Sequence, residues 1–125
     1  MLNNADNKIE TRRRTAKLII DVVLNKIHVL EALKNFPKNS DDPSVLVCFH
    51  ILVHYEADED IRKKDPLYKE TQDEFLVETA ETLIKGEPLP VNIIKEYKDY
   101  YESDLFYKVK DNKSILKRLG KFINL

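Results

Sequence analysis

Two histidines, His50 and His54, stand four residues apart inside the most apolar run of the chain, VLVCFHILVHY, Val45 to Tyr55. On a helix, side chains at i and i+4 are neighbours about 5–6 Å apart at Cβ, so both imidazoles can reach one ion at the short bond lengths zinc prefers. His28 extends the idea. If the first two helices form an antiparallel hairpin turning near residue 40, His28 lies level with residue 52, midway between the other two. Three imidazoles around an open position are the ligand set of a catalytic zinc. Glu31, Glu56 and Asp58 stand nearby as extra ligands or as partners that orient the rings.

A plainer arrangement fits the helical phase better. His28 shares a side of its helix with Asp21, Asn25, Glu31 and Asn35, which faces water. His50 and His54 align with Asp58 along the least apolar edge of an otherwise greasy helix, a wet boundary needing no metal. The chain has no HExxH and no paired ExxH of di-iron bundles. The sequence therefore favours no metal and no cofactor. A divalent metal such as zinc held by His28, His50 and His54 is the alternative.

Other chemistries find less support. Only Gly86 and Gly120 are present, and loops that cradle phosphates or dinucleotides need glycine where the backbone approaches the ligand. Ser40, Ser44, Ser103 and Ser114 fall in turns or at helix caps, outside any nucleophile-elbow context. The single Cys48 lies within the apolar run, which points to a buried, reduced thiol. No catalytic residue is nominated, and the balance leans away from an enzyme.

Charge narrows the partners. The formal net charge is −1 at pH 7, too small for a global field that gathers nucleic acid or anionic lipid. Locally, residues 1–55 carry eight Lys/Arg against six Asp/Glu, residues 56–104 seven against fifteen, and residues 108–125 six against one. Arg12, Arg13 and Arg14 with Lys17 form a basic cluster, but successive helical residues point about 100° apart and make no flat phosphate-binding patch. They are expected to be solvated or to pair with the acidic middle. Tyr97, Tyr100, Tyr101, Phe106 and Tyr107 form an aromatic segment whose interleaved Glu and Asp repel phosphate. Tyrosines of this kind suit a protein partner or self-association. Nucleic-acid binding is a second, less favoured alternative.

These residues are positioned by helices. From about Asp6 to Phe36, apolar residues recur at three- and four-residue steps, which predicts one long amphipathic helix ended by Pro37. Asp42-Pro43 then opens a second helix over Val45–Tyr55, continuing through EADEDIRKK. Its Val, Ile and Phe also suit a strand, but no second strand-like segment exists to satisfy its backbone. Asp65-Pro66 opens a third helix that closes at Gly86. A fourth spans Ile93 to Tyr101. Residues 113–125 give a short basic fifth, docked with Lys117, Arg118 and Lys121 toward the acidic middle. Leu105 to Lys110 stays open between helix and extended chain.

The expectation is a single all-α domain over residues 1–125 with a flexible stretch at 1–5. It is an antiparallel bundle of four to five helices built on a long N-terminal hairpin. No run approaches the ~20 apolar residues of a membrane span, and the polar first residues lack a signal-like apolar segment, which places the protein in the cytoplasm.

Overall fold

The computed structural model describes residues 4–37 and 39–102, with side chains over 7–37 and 39–98. Six helices are present among them: α1 (Asn4–Val23), α2 (Val29–Lys34), α3 (Pro43–Ala57), α4 (Glu59–Lys64), α5 (Pro66–Ile84) and α6 (Val91–Glu102). No strand occurs among the described residues. The ambiguous run Val45–Tyr55 is helical, and no helix of the described residues is long and apolar enough to cross a membrane.

The two Asp-Pro signals act as expected. Asp42 caps α3 by accepting from the Ser44 amide at 3.1 Å, with Pro43 in the first turn. Asp65 caps α5, one carboxylate oxygen accepting from the amides of both Leu67 and Tyr68. At its far end α5 closes on Gly86, whose φ of 81° is left-handed. The Glu87 amide returns to the Thr82 carbonyl and the Gly86 amide to that of Leu83, the paired closing bonds of a Schellman motif.

The single long first helix does not form. The same closing motif interrupts it at Asn25, with φ of 58°, where the Lys26 amide bonds the Asp21 carbonyl and the Asn25 amide that of Val22. Asparagine is the residue after glycine that best tolerates this conformation. The apolar periodicity runs across the break because α2 also turns an apolar face inward, burying Val29, Leu30 and Leu33. The second predicted helix divides as well. Asp58 leaves helical geometry at φ −93°, ψ 11°, and its carboxylate accepts from the Tyr68 hydroxyl at 2.7 Å and the Gln72 amide at 2.9 Å. Two breaks turn the first four expected helices into six; the predicted fifth, residues 113–125, lies outside the described residues. α1 starts at Asn4.

Pairing differs too. The principal partner of α1 is α5, and that of α3 is α6. The α1–α5 pair is antiparallel: Arg13 Nε donates to the Ile84 carbonyl at 3.1 Å at one end, while at the other Val22 and Asn25 line one groove with Pro66 and Lys69. α3 is the hub. It touches α1, α2, α4 and α6, so Val45, Val47, Cys48, Ile51 and Leu52 are all buried. A helix surrounded on most sides is apolar on most sides, which is why this run carries so little amphipathic signal.

Candidate functional site

The three histidines occupy three different settings. His28 is exposed and caps α2, its Nδ1 accepting from the Leu30 amide at 3.2 Å. One ring nitrogen is thereby engaged in holding the helix. His50 is buried in α3 with its ring edge-on to Phe49, centroids 5.6 Å apart. His54 stacks edge-on against Tyr97 of α6 at 5.8 Å. The break at Asn25 leaves His28 at the cap of α2 and not within a continuous helix. Among the described residues, no three His, Cys, Asp or Glu side chains gather so as to hold a metal ion. Burial, with neighbouring His54 adding to it, lowers the His50 pKa to about 4, so this imidazole is neutral at pH 7. Burial also pushes the Cys48 thiol far up, keeping it protonated and unreactive.

Of the aromatic segment, Tyr97 is half-buried against the core. Tyr100 and Tyr101 belong to α6, while their side chains, together with Phe106 and Tyr107, lie outside the described residues.

The basic cluster separates into distinct roles. Arg12 reaches across to the Asp42 carboxylate and the Gly86 carbonyl, and Arg13 to the carbonyl of Ile84. Both cations sit at the C-terminal end of α5, where unpaired carbonyls concentrate negative potential. Arg14 instead lines a groove of about 720 Å³ beside the α2–α3 loop, together with Lys8, Lys34 and Asp41.

A second groove, of about 470 Å³, opens where the C-terminal end of α1, the start of α2, the end of α3, α4 and the start of α5 converge. Its buried lining residues, Val22, Val29 and Glu56, make the floor. The rim carries His28, Glu59, Arg62 and Lys63. Glu56 is 7% exposed, and its buried Oε1 has no hydrogen-bond partner among the described residues. Burial raises its pKa and Glu59 adds to the rise, while His28, Arg62 and Lys63 pull the other way.

The groups around Glu56 are already engaged with one another. Arg62 lies over the Tyr55 ring at 3.4 Å from the centroid and donates to the Tyr55 carbonyl and to Gln72 Oε1. Lys63 pairs with Glu59, and Lys69 with Asp73. Asp73 also accepts from the Tyr55 hydroxyl at 2.8 Å, which together with burial pushes the phenol up to about 12. Asp58 is taken by Tyr68 and Gln72. Elsewhere on these elements three large apolar side chains are exposed: Leu24 of the α1–α2 turn, Ile61 of α4 and Leu67 of α5.

Sequence reasoning gave Glu56 only a supporting role at a metal. Its position in the charged stretch EADED hides it, because nothing in that composition tells which carboxylate turns inward. The usable signal was its i+4 spacing from buried Leu52. No protein-family model, no curated protein and no solved structure matches this chain.

Proposed function

We propose that this chain is a cytoplasmic helical protein that acts by contact with another protein, and that its contact surface is the groove among α1, α3, α4 and α5. The observation that carries this is a groove whose lining sets apolar Val22, Ile27 and Val29 beside charged Glu59, Arg62 and Lys63. An apolar floor inside a polar rim is the arrangement that protein interfaces use. The occupant is a peptide segment of a partner chain, with apolar side chains seated on Val22, Ile27 and Val29.

Panning a library of random displayed peptides against the full chain, beside its Ile27→Asp and Lys63→Glu variants, tests this. The expected result is enrichment of peptides that bind the parent and are lost with either variant. Failure to enrich any peptide, or binding indifferent to both substitutions, would overturn it. A dimer in sedimentation equilibrium that Ile27→Asp converts to monomer would instead identify the occupant as a second copy.

A further inference from the structure

The cations that line the groove are not equally answered. Lys63 is paired with Glu59 at 3.5 Å, and Lys69 with Asp73. Arg62 has neutral partners only: its Nη1 donates to the Tyr55 carbonyl and to Gln72 Oε1, and its Cζ lies 3.4 Å from the centre of the Tyr55 ring. Among the described residues no carboxylate stands within ion-pair distance of it. Those on the surrounding elements are committed elsewhere, Asp58 to Tyr68 and Gln72, Asp73 to Tyr55 and Lys69, and Glu59 to Lys63. Glu56 is buried in the floor.

These bonds leave one edge of the guanidinium unused. The N–H groups of Nε and Nη2 have no acceptor among the described residues, all the hydrogen bonds of Arg62 being made by Nη1. That edge is a fork whose parallel donors match the two oxygens of a carboxylate. Arg62 is half-buried, stacked on Tyr55 and tied at Nη1, so the fork is held in place before anything binds and little freedom is lost when something does. The same groove offers an apolar floor of Val22, Ile27 and Val29.

We propose that the groove receives an acidic side chain of the partner peptide, its carboxylate held by the Nε–Nη2 edge of Arg62 while neighbouring apolar residues lie on Val22, Ile27 and Val29. This rests on the partner-contact reading above and specifies the charge that the peptide carries. The lining agrees in sign, since Arg62, Lys63 and Lys69 stand against Glu56 and Glu59. Glu59 and Lys63 cancel one another at the rim, which leaves Arg62 to set the field there. A basic side chain in the same place would meet an unanswered guanidinium and be rejected.

Two displayed libraries, panned against the full-length chain, test this: random sequences around a fixed central glutamate in one, and around a fixed central glutamine in the other. The glutamate library is expected to yield at least tenfold more clones whose binding Ile27→Asp abolishes. One such peptide is then synthesised with an amidated C-terminus. Replacing its glutamate by glutamine should weaken binding to the parent chain at least tenfold, and to Arg62→Met by no more than about twofold. Titrating the parent chain with the peptide should also move the Arg62 Nε–Hε resonance, a readout that stands even if Arg62→Met folds poorly. Equal yields from the two libraries, an Nε–Hε resonance unmoved at saturation, or equal binding of the glutamate and glutamine peptides would overturn the acidic contact. If such clones are still lost in Ile27→Asp, the contact surface survives that failure. A glutamine peptide rescued by a free C-terminus would overturn it as well, by giving the fork to a chain terminus. If neither library yields clones lost in Ile27→Asp, the contact surface falls and this inference with it.

Discussion

The Arg12 guanidinium grips the Asp42 carboxylate with two donors, Nε to Oδ2 at 2.8 Å and Nη2 to Oδ1 at 3.4 Å, across thirty residues of chain. Its third nitrogen donates to the Gly86 carbonyl at 2.9 Å. Asp42 is 3% exposed and at the same time caps α3 through the Ser44 amide, while Ser44 Oγ accepts from the Leu89 amide at 2.9 Å. One side chain of α1 thus joins the start of α3 to the end of α5, and Ser44 joins them to the loop before α6.

Arg12→Met should destabilise the protein by about 3 kcal/mol, because it leaves a buried carboxylate uncompensated. Arg12→Lys should recover only part of this, since a point charge cannot reproduce three planar donors. Urea unfolding of the two variants beside the parent checks both, with equal stabilities of Lys and Arg at this position counting against the clamp.

Glu56→Gln should stabilise the protein at neutral pH by about 1 kcal/mol, because it removes the charge that burial penalises. The native carboxyl has a raised pKa, so between the ordinary value of 4.5 and that raised value the folded state binds more protons than the unfolded one. Stability from this group therefore falls as pH rises through the window and stays lowered above it. Below 4.5 both states are protonated and the advantage of glutamine should vanish. Thermal unfolding at pH 7 and pH 4 reads the difference directly.

His50 works in the opposite direction. With a native pKa of about 4 against an ordinary 6.5, the unfolded chain takes up a proton over that interval that the folded protein refuses. Stability is thus full above pH 6.5 and declines as pH falls toward 4, by on the order of 2 kcal/mol. His50→Leu should flatten that interval. Urea midpoints at pH 6.5 and 4.5 for parent and variant isolate the histidine from the carboxylates common to both.

The parts of this fold legible in the sequence are those fixed by neighbours along the chain. Asp42-Pro43 and Asp65-Pro66 each place a cap and a fixed φ at adjacent positions, and both helices begin there. Arg12 was not legible, because its partners Asp42 and Gly86 come from distant segments and a run of arginines looks the same whether solvated or clamped. The histidine triad failed to assemble for a related reason. It needed α1 to run unbroken to Phe36, and the backbone turn at Asn25 decides otherwise. Glu56 was hidden because burial on α3 depends on how α1, α2 and α4 close over its end.

The break at Asn25 makes its own prediction, set against the other helix stop at Gly86. Asn25→Gly should be neutral or slightly stabilising, since glycine enters the left-handed region at no steric cost, and Asn25→Ala should cost about 1 kcal/mol. Gly86→Ala should cost more than Asn25→Ala, because a Cβ there would come within 2.9 Å of Ile9 Cγ2 on the facing helix in addition to adopting φ of 81°. The strain at Asn25 is local to an exposed turn, whereas that at Gly86 pushes α1 off α5 where Arg12 and Arg13 dock. Chemical denaturation of the three variants orders them. Should Asn25→Ala stabilise the protein, α1 and α2 would be one continuous helix and His28 would return to the register that its cap now denies it.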